Sequence, residues 1–151
     1  MHIQLTKPEG TVARRVKIDC GGRRQAMLIL SPENRAENAP GVLWIHGGGY
    51  ITGMKEMVYM SRAVDLVTQF GAVVVSPDYW LAPRNPYPAA LDDCYAALLW
   101  MKRHARKLGI DPHKLTVGGE SAGGSLCIAV CMKARDEKTV DIAYQMPLYD
   151  S

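Results

Sequence analysis

Two hydrophobic patterns alternate along this chain. Val42-Leu43-Trp44-Ile45 and Ala72-Val73-Val74-Val75 are apolar without a polar gap, and turn residues bound both. Runs of this length predict strands buried on both faces, as in a parallel sheet covered by helices. Between and after them lie longer stretches with helical spacing. Glu56 to Phe70 places Val58, Ala63, Leu66, Val67 and Phe70 on one face and meets Gly71, a stop signal. Pro88 opens a second helix that runs to Leu108, with Leu91, Cys94, Leu98 and Met101 on one face and Gly109 at its end. A third helix, carrying Leu126, Ala129 and Val130, runs to Asp136.

The remaining segments complete a strand–helix alternation. Thr11 to Asp19 alternates Val12, Val16 and Ile18 with arginines and reads as a strand with one wet face. Cys20-Gly21-Gly22-Arg23 is a turn, and Gln25 to Leu30 is the hairpin partner. Ser31 to Pro40 is a polar loop before the strand Gly41 to Ile45, and Ser76 to Tyr87 is a proline-rich connection. Asp111-Pro112 leads into a strand at Lys114 to Val117, and Asp141 to Met146 is a final strand. The fold class expected is α/β: a mostly parallel sheet, right-handed crossovers, helices on both faces and a site at the C-terminal strand ends.

Two glycine clusters fall at such strand ends. In Val117-Gly118-Gly119-Glu120-Ser121-Ala122-Gly123-Gly124, a β-branched run enters and a helix leaves. This is the layout of a nucleophile elbow, a tight strand-to-helix turn that presents Ser121. Such a turn holds its serine in a sparsely populated conformation, so Gly119 and Gly123 leave room where a Cβ would clash. The helix that follows points amide dipoles at developing negative charge. A Gly/Ser turn before a helix can also be a simple cap; a second motif decides between the readings. His46-Gly47-Gly48-Gly49-Tyr50 follows the first apolar strand. Three successive glycines cost backbone entropy and make sense where bare amides approach a ligand. Acyl transfer needs such amides at its oxyanion, and the residue after the nucleophile, Ala122, supplies another. A Walker phosphate loop would require a following Gly-Lys-Ser/Thr, which the sequence lacks.

With these two motifs stand Asp78-Tyr79-Trp80-Leu81-Ala82-Pro83 and Tyr87-Pro88-Ala89-Ala90 with Asp92-Asp93. In this order and spacing the four motifs, from about Val12 onward, resemble the hormone-sensitive-lipase-like carboxylesterases and lipases of the α/β-hydrolase superfamily. The resemblance implies a serine nucleophile, Ser121, and an oxyanion hole from the amides of Gly47, Gly48, Gly49 and Ala122. It implies supporting roles for His46, Tyr50, Asp78 and Glu120, a small acyl-ester substrate, and no metal or organic cofactor. Trp80 and Arg84 depart from the arginine and glutamate usual in the third motif, and Arg84 stacking on Trp80 would replace that ion pair.

A serine needs a histidine to take its proton and an acid to orient that histidine, which in this superfamily follow the serine in the chain. The four histidines here, His2, His46, His104 and His113, all precede Ser121. Asp150 sits just after the last strand and reads as a loop residue. Residues 1–151 are therefore expected to be the N-terminal part of a hydrolase domain, a truncated α/β-hydrolase fold without its C-terminal strands. Activity of these residues alone should be very low. The alternatives are a non-catalytic binding protein on a hydrolase scaffold and half of a complemented enzyme. The last strand is expected to leave an open edge that recruits a second copy. An amidase or deacetylase would use the same parts.

Composition narrows the setting. The chain has 151 residues, is 48% hydrophobic and carries a formal charge of +3, which gives no reason to invoke nucleic acid. Lys102, Arg103, His104, Arg106 and Lys107 crowd one helix end, where cations complement the helix dipole; a basic binding patch is the alternative. Four cysteines form no CxxC pair, and Cys127 and Cys131, one turn apart, fit core packing better than a metal site. No secretory signal and no membrane-length apolar run are visible, so a cytoplasmic setting is expected. Met54, Met57, Tyr59 and Met60 fit either an acyl pocket or ordinary packing.

Overall fold

The computed structural model describes residues 6–20, 22–46, 55–78, 87–120 and 122–148. Among them are the strands β1 (Thr11–Cys20), β2 (Arg23–Pro32), β3 (Ala39–Ile45), β4 (Val73–Pro77), β5 (Ile110–Glu120) and β6 (Ile142–Leu148). They form one sheet in the order β1-β2-β4-β3-β5-β6. The hairpin pairs antiparallel with β4, and β4, β3, β5 and β6 run parallel. The helices are α1 (Ala63–Phe70), α2 (Tyr87–Arg103), α3 (Ala105–Leu108) and α4 (Ala122–Glu137), and a 3₁₀ turn spans Lys55–Met60.

Strand order and helix placement are linked. From β3 the chain crosses to β4 on one side, returns past β3 to β5, and continues to β6 in the same direction. Right-handed crossovers in opposite directions put their helices on opposite faces. Accordingly Val42, Trp44, Val74, Leu28 and Leu30 pack on Ala63 and Val67 of α1. Leu43, Ile45, Val73 and Val75 pack with Cys94, Leu98 and Met101 of α2 and Cys127 and Val130 of α4. Successive residues of β3 and β4 thus serve different layers, which is why these strands are apolar throughout. Cys127 adds a polar tie, its thiol donating to the Val117 carbonyl at 3.2 Å. Burial pushes the Cys94 thiol well above its ordinary pKa and keeps it a neutral core group. All four cysteines are free. No described helix is long and apolar enough to cross a membrane.

Several boundaries differ from the pattern-based expectation. The helix expected over Glu56 to Phe70 is a 3₁₀ turn followed by the shorter α1. Ser61 divides them: its hydroxyl donates to the Val58 carbonyl at 2.7 Å and accepts from the Ala63 amide at 3.1 Å, competing with helical bonding. The offset leaves Phe70, expected on the apolar face, 68% exposed. The helix expected over Pro88 to Leu108 breaks at His104, whose backbone (φ −106°, ψ 15°) leaves the helical region. Strand β5 starts earlier than Lys114 and contains Pro112. Its pairing with β3 slips between Ala39 and Gly41, so a residue without an N–H meets no ladder position there. Strand β6 extends past Met146 to Leu148.

Candidate active site

The parallel register sets the two motif-bearing strand ends side by side. Ile45 pairs with Gly119, and Trp44 with Gly118. Neighbouring strands lie about 4.8 Å apart. The first residue beyond Ile45 is His46, which opens the triple-glycine segment. The second beyond Gly119 is Ser121. These are the ends of β3 and β5, adjacent strands from which the chain departs in opposite directions, and open α/β sheets place their binding crevice at such a point.

Close backbone packing fixes this approach. A Cβ on Gly123 would run into the Ile45 carbonyl oxygen and lie 2.9 Å from the His46 carbonyl oxygen. A Cβ on Gly119 would run into the Gly123 carbonyl and lie 3.0 Å from the Ile45 carbonyl oxygen. Both outer glycines of Gly-x-Ser-x-Gly are therefore demanded by contact among the end of β5, the first turn of α4 and the end of β3. Gly118 serves a different neighbour. A Cβ there would sit 2.8 Å from two ring atoms of Trp44, so its absence gives the indole its place beneath α1.

Of the residues expected to support the site, His46 is 1% exposed at the end of β3. Asp78 follows β4, its amide donating to the Ala26 carbonyl at 2.9 Å and its Oδ2 lying 3.6 Å from Lys55 Nζ. Glu120 ends β5, and its Oε1 accepts the Arg62 amide at 3.4 Å, tying the end of β5 to the start of α1. Ala122 is the first residue of α4. Ser121, Gly47, Gly48, Gly49 and Tyr50 lie outside the described residues, as do Met54, Trp80, Arg84 and Asp150.

Two further residues join this neighbourhood. Lys55 bonds through both ends: its carbonyl accepts the Ser76 hydroxyl at 2.8 Å, and its ammonium faces Asp78. The chain returning from the triple-glycine segment is thereby fastened to the end of β4. A serine closing the apolar run Ala72 to Val75 was the available signal for one half of this contact. Lys55 itself sits in a stretch whose spacing shows no period. Among the other histidines, His113 is an exposed residue of β5 and His104 stacks on Trp100, with ring centroids 4.6 Å apart. Among the described residues no group of three or more His, Cys, Asp or Glu side chains is arranged to hold a metal ion.

Comparison with known proteins places this geometry in context. A family profile described as the alpha/beta hydrolase fold matches residues 42–150. The chain is 39% identical over 113 residues to Esterase LipI of Mycobacterium tuberculosis, a match that covers 75% of this chain and 35% of that protein. It is 36% identical over 135 residues to an arylesterase of Saccharolobus solfataricus, covering 89% of this chain and 43% of that one. Among solved structures, a bacterial heroin esterase superposes with a TM-score of 0.84 at 38% identity, over 91% of this chain and 44% of that one. The chain thus spans less than half the length of each of these proteins.

Proposed function

The chain belongs to the α/β hydrolase fold family, and from that premise we propose that it is the nucleophile-bearing N-terminal part of a serine hydrolase of carboxylic esters. The observation that carries this reading is the packing of Gly123 against the Ile45 and His46 carbonyls. It supports a serine turn and a triple-glycine loop that open onto one crevice. In that crevice the Ser121 hydroxyl attacks the ester carbonyl carbon. The amides of Gly48, Gly49 and Ala122, with Gly47 shaping the loop, receive the charge that develops on the carbonyl oxygen. A histidine outside these residues takes the serine proton and returns it to the departing alcohol. Water then repeats the attack on the acyl-serine and frees the acid. His46, Asp78 and Glu120 act through the backbone they hold. The similar proteins are named esterases, which supports an ester as substrate. Four free thiols support a reducing, cytoplasmic setting.

The test is covalent. Residues 1–148 joined to the C-terminal portion of Esterase LipI should take up one equivalent of a fluorophosphonate, mapped by peptide mass to Ser121. A folded chimera left unlabelled, beside a labelled LipI parent, would support the binding-scaffold alternative instead.

Self-association is part of the same proposal for the 151-residue polypeptide. Among the described residues strand β6 is the last of the sheet; Tyr144 on it is 64% exposed and lines one cavity with Met132 of α4, which is 49% exposed. An apolar, unpaired edge recruits a second copy by strand addition. Light scattering should show a concentration-dependent dimer that Tyr144→Glu weakens. A monomer at every accessible concentration would refute it.

A further inference from the structure

We propose that the cleft between the β1–β2 hairpin and α2 binds an amphipathic carboxylate, an apolar chain or ring that carries one acid group. The cleft holds about 410 Å³, within the roughly 300–1,000 Å³ of small-molecule sites. It is remote in sequence from both glycine motifs, and the ester chemistry makes no use of it. Its floor is apolar: Ile18 is 7% exposed, and Leu99 is half-buried beside it. One wall is the indole of Trp100, whose orientation is fixed. It stacks on His104 at 4.6 Å with 26° between the planes. His104 Nδ1 in turn lies 2.9 Å from the Trp100 carbonyl oxygen. A carbonyl only accepts, so that nitrogen carries the proton and the imidazole is locked in place.

The rim is cationic. Lys17, Arg24 and Arg103 line it, against one carboxylate, Asp19, which lies opposite Arg24 in the hairpin register. Among the described residues none of these three cations has an ion-pair partner. The basic run at the end of α2 is thereby divided. Lys102 donates to the Thr139 carbonyl and His104 holds Trp100, while Arg103 is left facing the cleft. An excess of cations around an apolar floor favours a ligand with the opposite arrangement: a body that leaves water and a single anionic head that stays at the rim. Inorganic phosphate would meet the rim but gain nothing from the floor. A neutral alcohol would do the reverse. Ester hydrolysis releases acids of this class, but binding here requires no hydrolysis, so its test stands apart from the ester reading.

Titration calorimetry on the 151-residue chain, with octanoate, octanol and inorganic phosphate, tests the assignment. Octanoate should bind one site, and octanol and phosphate at least about tenfold more weakly. Arg103→Glu and Arg24→Glu should each weaken octanoate by about tenfold, the scale of a partly screened charge pair reversed to repulsion. Arg106→Glu, on α3 outside the cleft, should leave it unchanged. Raising salt from about 0.1 M to about 1 M should weaken it as the screening length shortens. Circular dichroism checks that the exposed substitutions leave the fold intact. The proposal fails if octanoate produces no binding heat, if octanol or phosphate binds as tightly, or if both reversals leave octanoate affinity unchanged.

Discussion

Gly123→Ala is expected to destabilise the chain by about 3 kcal/mol or more, although alanine is the better helix former. The two effects oppose each other. Replacing a helical glycine with alanine gains up to about 1 kcal/mol through backbone entropy. Here the added methyl would run into the Ile45 carbonyl oxygen and lie 2.8 Å from the carbon that bears it. Neither atom is the end of a flexible side chain. Both belong to a strand held in register by β4 on one side and β5 on the other. Relief therefore requires the first turn of α4 to lift from the sheet. That movement would loosen Leu126 and Cys127, which are buried one turn further on. Domains are stable by only about 5–15 kcal/mol, so the loss should appear as a large drop in urea midpoint. Gly119→Ala should behave alike, because its methyl meets the Gly123 carbonyl. Ser125→Ala, at an exposed position of the same helix, should stay within about 0.5 kcal/mol. A Gly123→Ala protein with the parent's midpoint would mean that β3 and the first turn of α4 do not touch as described.

The glycines at Gly119 and Gly123 were legible in the sequence because their spacing around a serine belongs to a known turn. Gly118 was not. It stands outside the Gly-x-Ser-x-Gly spacing, and its space is taken by an indole 74 residues earlier in the chain. That contact depends on the β3–β5 register, which no local pattern encodes. The central strands β3 and β4 were legible for a simpler reason: strands covered on both faces read as near-continuous apolar runs, and no alternation is needed to find them. Helix ends were read less well. A 3.6-residue period runs through Ser61 without interruption, but one hydroxyl bonding two backbone groups is enough to split the segment. Phe70 shows the cost of relying on period alone. The cleft beside α2 was partly visible as a run of basic residues at a helix end. Only the packing of the hairpin against α2 separates Lys102 and His104, which hold other groups, from Arg103, which lines the cleft and has no ion-pair partner among the described residues.

Removing the Ser121 hydroxyl should have a large effect in one context and almost none in another, and the contrast tests the assignment of the missing base. In a catalytically complete polypeptide, such as residues 1–148 joined to the C-terminal portion of Esterase LipI, Ser121→Ala should lower kcat for a p-nitrophenyl ester by about 10⁶. In the 151-residue polypeptide the same substitution should change a rate already close to background by less than about tenfold. Nucleophile and base act as a unit, so either loss alone removes most of what both provide. The described histidines leave no substitute. His104 is committed to the Trp100 carbonyl, and His113 is exposed in the half of β5 that precedes Leu115. His46 stands near the first turn of α4, but it is 1% exposed and its carbonyl packs at the Gly123 position. If the 151-residue chain instead turned over the ester at a normal esterase rate, and Ser121→Ala abolished it, a base within these residues would have to exist. His46→Gln would then identify it, since loss of that rate with the fold retained would move His46 from a supporting position to the proton acceptor.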